Sequence, residues 1–279
     1  MSIKREKLRS ATVNLLLVVM AVAYIYPVIF MVLTSFKSNS EIYKNMWALP
    51  RTLYPENYIN AFQVGHLGDY FFNSVIIAAI ALFSVIIIGT LAAYALARLH
   101  LGYAVMLVGT LFIIQIMPVE SMIIPLYMMM SKLSLFKVIY LPIVLAYIGW
   151  MLPGTIVILR NFFMSVPSEL LESARIDGSN EWNTMFRIVF PMAGGAVATC
   201  TVFNFGFAWG ELMWAQIATL TTERGVPLAV GLINFQGQFT TNWGMLTAAI
   251  CMILIPLIAL YVFLQRYFVK GLTAGAIKG

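Results

Sequence analysis

Phe71-Phe-Asn-Ser-Val-Ile-Ile-Ala-Ala-Ile-Ala-Leu-Phe-Ser-Val-Ile-Ile-Ile-Gly-Thr-Leu-Ala-Ala-Tyr-Ala-Leu-Ala97 runs for 27 positions without a charged residue. A helix crosses about 30 Å of hydrocarbon with about 20 largely apolar residues, so this stretch reads as a membrane span. Five further runs of the same kind are found, roughly Thr12 to Phe36, Tyr103 to Met130, Val138 to Leu159, Phe186 to Ala215 and Trp243 to Phe268. Several exceed the minimum length, which predicts tilted or kinked spans. Pro118 and Pro125 interrupt the third span, Pro142 and Pro153 the fourth, Pro191 the fifth and Pro256 the sixth. Each proline frees a carbonyl that lipid cannot satisfy, so these helices are expected to pack on neighbours or to line a wetted cavity. The expected fold is all-α, a polytopic membrane protein with six transmembrane helices.

Composition agrees. The 279 residues are 61% hydrophobic and 10% charged, with a mean hydropathy of +0.90, whereas soluble domains run to about a quarter charged. An ordinary soluble enzyme is excluded, and one polytopic membrane domain is preferred to two soluble ones. Lys and Arg number 17 against 11 acids, a net charge of +6. These bases lie between apolar runs, so they read as topology signals, not as a nucleic-acid footprint. Cys200 and Cys251 sit in apolar stretches without Cys-x-x-Cys spacing, and His66 and His100 lack metal-ligand spacing, so neither a disulfide framework nor a metal site is expected. No Gly precedes a Lys, so the phosphate-cradling loop Gly-x-x-x-x-Gly-Lys-Ser/Thr is absent and ATP hydrolysis is not expected of this chain alone.

Lys4, Arg5, Lys7 and Arg9 ahead of an apolar stretch containing Ala21-Val22-Ala23 allow a secretory-signal reading, but the run continues to Leu33 and is long enough to remain as an anchor. Six spans put both termini on one side. With cytoplasmic termini the inside set is Lys4, Arg5, Lys7, Arg9, Arg98, Arg160, Arg175, Arg187, Arg266, Lys270 and Lys278, eleven bases against six outside. Cytoplasmic termini are therefore favoured. Lys37 to Tyr70 becomes the longest outside segment and Arg160 to Met185 the longest inside loop.

In that loop, Pro167 suits the first position of a short helix and Glu169 its positive end. Leu170, Leu171 and Ala174 fall on one face, Glu169 and Glu172 on another, and Gly178 supplies a stop where positive φ is allowed. Ser179 is placed to cap a second helix with Glu181 in its first turn. Periodicity alone favours an ordinary cytosolic loop whose leucines lie at the headgroup level.

Glu172-Ser173-Ala174-Arg175-Ile176-Asp177-Gly178, followed by Phe186, Ile188 and Pro191, resembles the EAA motif of binding-protein-dependent ABC importer permeases. Ser173 and Ser179 depart from the usual alanines but remain small. Ile116-Met-Pro, Ile124-Pro-Leu-Tyr, Asn161-Phe-Phe-Met-Ser-Val-Pro and the ending Gln265 to Gly279 are similar to the carbohydrate-uptake branch, the tail especially to maltose-transporter permeases. The resemblance implies a type I ABC importer permease fold. It divides the chain into 1–70, an N-terminal tail, first helix and extracytoplasmic loop; 71–268, a core of five helices; and 269–279, a cytoplasmic tail. It further implies a second permease subunit, most simply a heterodimer, two ATPase subunits and an extracytoplasmic sugar-binding protein. No cofactor is implied on this chain, ATP and Mg being held by the ATPases. Glu172, Ser173, Ala174, Asp177 and Gly178 are then the joint with the ATPase. Small Ala174 and Gly178 would permit close approach, and Glu172 and Asp177 would pair with partner donors or cap the loop's own amides.

Polar groups inside apolar spans are candidates for the substrate path, or else interhelical glue. Gln115 and Asn204 lie deep and are neutral, which suits sugar hydroxyls. Glu120 and Glu211 fall nearer the outer end, as structural pairs or cavity lining. Trp209, with Trp214, offers an aromatic face of the kind that holds sugar rings. Gly206 and Gly210 form a Gly-x-x-x-Gly pair read mainly as helix packing. An ATP-independent secondary transporter would show paired repeats and buried coupling carboxylates, which are not evident. A membrane-embedded enzyme would need His-Glu-x-x-His, Gly-x-Ser-x-Gly or a similar set, and neither occurs.

Overall fold

The computed structural model describes the backbone of residues 2–63, 65–99, 101–220, 224–237 and 241–276, and the side chains of residues 10–267 within those ranges. Lys4, Arg5, Lys7, Arg9, His100, Lys270 and Lys278, together with the C-terminal signature from Phe268 onward, lie outside the described side chains. In chain order the helices are α1 (Ser2–Ser35), α2 (Asn39–Lys44), α3 (Glu56–Gln63), α4 (Leu67–Arg98), α5 (Ala104–Ile116), α6 (Ile123–Lys132), α7 (Leu141–Ser165), α8 (Ser168–Ile176), α9 (Glu181–Asn183), α10 (Phe190–Met192), α11 (Gly194–Gly210), α12 (Met213–Ala218), α13 (Leu228–Gly231) and α14 (Trp243–Ala276). Among the described residues no strand forms, and the one β-bridge joins Gln236 to Thr241.

Four helices, α1, α4, α7 and α14, are long and apolar enough to cross a membrane. The third and fifth spans are instead bent pairs: Ala104–Ile116 meets Val119–Lys132 at 93°, and Glu181–Met192 meets Gly194–Gly210 at 75°. Counting each pair as one span gives the six expected from sequence. The first break has a plain cause. Pro118 disfavours helical backbone in the residue before it, and Met117 is extended at φ −69°, ψ 125°, as is Pro118 at φ −65°, ψ 129°.

The other prolines correct the expectation that each interrupts a span. Pro142 occupies the first turn of α7, where its missing N–H has no helical partner to lose. Pro153 and Pro256 lie inside α7 and α14, which continue through them, and Pro125 falls in the first turn of α6. The fifth span is bent at Ala193, just past Pro191, and its apolar run stops at Gly210, so Met213–Ala218 is a separate helix. The sixth helix runs to Ala276, into the segment expected to be a tail.

The chain divides into two compact units, one made of residues up to Gly68 with Gly231–Leu254, the other of Asp69–Val230 with the chain from Ile255 on. In the first, buried polar groups tie the end of α1 to α3. Asn57 donates through Nδ2 to the carbonyls of Ser35 and Lys37, each at 2.8 Å, and the Ser35 and Tyr58 hydroxyls meet at 2.7 Å. In the second, Tyr94, Leu159, Phe163, Leu171, Met185 and Val189 form an apolar cluster shared by α4, α7, α8 and the chain leading to α10. The inward face of α8 rests on this cluster.

Candidate functional site

Pro167 is the N-cap of α8, one position earlier than expected, and Glu169 is in its first turn. Leu171 and Ala174 are buried, whereas Leu170 is partly exposed and Glu172, Ser173, Ile176 and Asp177 face outward. The room that small Ala174 leaves is thus used inside this chain. After α8 the backbone closes on itself: the Ser179 amide donates to the Ala174 carbonyl at 2.9 Å and the Gly178 amide to the Arg175 carbonyl at 3.0 Å. This is a Schellman turn, which needs left-handed backbone at the residue after the cap. Gly178 supplies it at φ +80°, and a Cβ there would meet nothing within 4 Å, so conformation rather than crowding selects glycine. With backbone bonds closing the turn, Glu172 and Asp177 cap no amide. Neither side chain makes a hydrogen bond or ion pair among the described residues.

The cap of the next helix is Asn180, not Ser179. Asn180 Oδ1 accepts the Asn183 amide at 2.9 Å, because the Schellman turn already commits the Ser179 backbone and turns its hydroxyl to Thr184 Oγ1 at 2.9 Å. Glu181 then binds sideways. Its Oε2 accepts the Tyr94 hydroxyl at 2.8 Å, and its Oε1 accepts Arg175 Nη2 at 2.9 Å. Nearby, Arg98 at the end of α4 donates through Nη2 to the carbonyls of Phe163, which also accepts the Val166 amide at 3.3 Å, and of Val166, the residue that caps α7. In return Arg160 of α7 donates to the Leu96 carbonyl of α4 at 3.3 Å.

The substrate-path candidates separate into three groups. Gln115 and Asn204 line one cleft of about 370 Å³ with Trp150, Thr155 and Phe207. Asn204 donates to Thr155 Oγ1 at 2.8 Å, and the Gln115 amide fits against Gly154, where a Cβ would come within 2.6 Å of Nε2. Glu120 and Glu211 line a second cleft of about 280 Å³, which shares the Trp150 and Phe207 walls. Glu211 is already engaged. Its Oε1 accepts the Trp214 amide at 2.8 Å, and its Oε2 accepts the Ala215 amide at 3.1 Å and the Tyr147 hydroxyl at 2.9 Å, so it caps α12 and ties it to α7.

Trp209 lines neither cleft. It is 3% exposed, stacked on Phe205 at 5.0 Å and edge-on to Phe71 at 5.7 Å. Trp214 is fully buried and donates through Nε1 to the Pro142 carbonyl at 3.1 Å. The aromatic wall is instead Trp150 with Phe207, ring centroids 6.1 Å apart at 82°. Trp150 escapes a reading along the fifth span because it comes from α7. Its signal was the helical spacing Trp150, Gly154, Thr155, one face on which a glycine sits beside two polar-tipped groups. Of the glycine pair, Gly206 would place a Cβ 4.0 Å from Leu257 of α14, while Gly210 meets nothing within 4 Å.

In the other unit, a cleft of about 460 Å³ is lined by Asn39, Tyr43, Asn234, Thr241 and Asn242 among others. Most of its polar groups satisfy one another: Asn39 donates to Asn242 and accepts the Gly244 amide, and Tyr43 donates to the Thr241 carbonyl. That leaves a ligand less to bind than the Gln115 side chain offers, which makes no hydrogen bond among the described residues. Among the described residues no group of three His, Cys, Asp or Glu side chains gathers as a metal site.

The family model described as "Binding-protein-dependent transport system inner membrane component" matches residues 86–274. The chain is 34% identical over 271 residues to the probable ABC transporter permease protein YurM of Bacillus subtilis, covering 97% of this chain and 88% of that protein. It is 31% identical to the melibiose/raffinose/stachyose import permease MelC of the same organism, covering 96% of each. It is 32% identical to the diacetylchitobiose uptake permease NgcG of Streptomyces coelicolor, covering 96% of this chain and 89% of that one. Its fold superposes with a TM-score of 0.82 on a chain of a bacterial ABC transporter involved in the import of the acidic polysaccharide alginate, at 21% identity, covering 94% of this chain and 97% of that chain. With bent apolar spans, an exposed α8 turn and a match over most of its length, the chain belongs to the family of inner-membrane components of binding-protein-dependent transport systems.

Proposed function

We propose that this chain is one permease subunit of an ABC importer and forms half of the path by which a sugar or oligosaccharide enters the cell. Its partners are a second permease, two ATPase subunits that hold ATP and Mg, and an extracytoplasmic binding protein. The observation that carries the reading is the α8 turn. Its own backbone closes it, its inward face is seated on the apolar cluster, and its outward face offers Glu172, Asp177 and an 86% exposed Ile176 to a partner. A subunit that shares ATP energy needs such an element, held rigidly behind and unsatisfied in front. Glu172, Ser173, Ala174, Asp177 and Gly178 build it, and the excess of bases on that side of the sequence puts it in the cytoplasm with both termini.

Gln115 and Asn204 beside Trp150 suit an uncharged, hydroxyl-bearing substrate, the class of the sugars named for MelC and NgcG and not of the acidic alginate named for the structural neighbour. Glu120 lines the adjoining cleft that shares the Trp150 and Phe207 walls, where Glu211 holds α12 to α7, and Trp209 packs on Phe205 and Phe71 away from both clefts. An ATP-independent carrier is not favoured, since the family consists of components of larger transport systems.

The test is purification of the tagged chain from its host in mild detergent, identification of co-purifying subunits by mass spectrometry, and ATP hydrolysis with the captured binding protein and melibiose, raffinose or diacetylchitobiose. A second permease and an ATPase stimulated by one sugar are expected. A solitary chain under conditions that keep known importers assembled would overturn the reading.

A further inference from the structure

At Glu181, α8, α9 and α4 are joined by polar bonds. Arg175, in the last turn of α8, donates to its Oε1 through Nε at 3.2 Å and Nη2 at 2.9 Å, and Tyr94 of α4 donates to its Oε2 at 2.8 Å. Tyr94 is 4% exposed and packs edge-on to Phe163 of α7 at 6.1 Å. The apolar seat under Leu171 is non-directional and permits sliding, whereas these charge-assisted bonds fix the orientation of α8 on α4.

The covalent route from α8 toward the clefts is irregular. It passes a π-helical stretch, Thr184–Val189, and the bend at Ala193 before reaching Asn204 on α11. The route through Tyr94 is not. Helix α4 is continuous over 32 residues, and little more than one turn from Tyr94 its Gly89 lies so close to α7 that a Cβ there would come within 2.8 Å of Thr155 Cγ2. Thr155 is the residue that accepts the Asn204 hydrogen bond in the first cleft.

Resting on the coupling role of α8 proposed above, we propose that Glu181 is a positioning residue that passes displacement of α8 to the cleft, through Tyr94, α4 and the Gly89–Thr155 contact, with Arg175 holding the carboxylate in place. The test uses the assembled transporter in nanodiscs, with Cys200→Ala and Cys251→Ser and a reporter Gln115→Cys, and compares maleimide labelling of that thiol with and without ATP, Mg and vanadate. The background is expected to change labelling rate by about fivefold or more, and Tyr94→Phe and Glu181→Gln to reduce that response below about twofold while the ATPase subunits stay bound.

Tyr94→Phe removes the bond to Glu181 and Glu181→Gln removes the charge and the Arg175 ion pair; because both act at one junction, the double variant is expected to lose no more than the more impaired single. A wild-type response in both singles, or additive losses in the double, overturns the proposal. Gly178→Leu in the same background separates the two readings. If it responds normally, the coupling role of α8 fails. If it loses the response while Tyr94→Phe and Glu181→Gln keep it, only the route through Glu181 fails.

Discussion

At φ +80°, Gly178 sits where a Cβ costs about 1–2 kcal/mol, in a turn whose remaining bonds are all backbone. Gly178→Leu is therefore expected to loosen the turn without unfolding the chain: amide exchange should rise at residues 175–180 alone, and uptake by the assembled transporter should be lost. Normal uptake with a loosened turn would remove the coupling role. Arg98 acts on a larger scale with a single side chain. Replacing it by Met takes the donor from the Val166 carbonyl and leaves the Phe163 carbonyl only the 3.3 Å bond from the Val166 amide, at about 1–3 kcal/mol. Thermal unfolding in detergent should show the loss, and Arg98→Lys should recover only part of it, since a lysine is a single mobile point charge. Gly178 was legible in the sequence because its role is local. Arg98, Glu181 and Tyr94 were not, because their partners lie 65, 87 and 87 residues away.

Among the elements, α12 depends on one carboxylate. Glu211→Ala removes the acceptor for the Trp214 and Ala215 amides and is expected to destabilise by about 1–2 kcal/mol. Glu211→Gln keeps an acceptor oxygen and should lose less. If Glu211 instead served the substrate directly, Glu211→Gln would depress uptake at unchanged thermal stability, and comparing the two measurements decides. The bends follow the same logic of local chemistry. Apolar runs announce a span but not its straightness, and a proline breaks one only where the residue before it is free to turn extended. Met117 is free to do so; the backbone before Pro153 and Pro256 is held helical within α7 and α14. Hydropathy has no term for that difference, so the sequence shows the number of spans and not which of them are broken.

For the molecule as a whole, the apolar surface of α1 and α5 is left to lipid and partner subunits: no residue of α5 is buried, and the apolar stretch of α1 is exposed almost to its end. The chain is expected to resist extraction by alkaline carbonate and to leave the membrane only with detergent. In a cysteine-depleted chain carrying Ile176→Cys, an impermeant maleimide should label inverted vesicles and not intact cells; labelling from outside would reverse the assigned orientation. Both outcomes follow from charge distribution and hydropathy that the sequence displays openly, whereas the cleft walls, assembled from α5, α7 and α11, required the fold. The α8 turn has one more consequence. Since it is closed by main chain and seated by Leu171 and Ala174, no side-chain bond among the described residues ties positions 172, 176 and 177 to the rest of the chain. A lineage is then free to rewrite those three and move its permease to a different motor, as a key blank is recut without being recast.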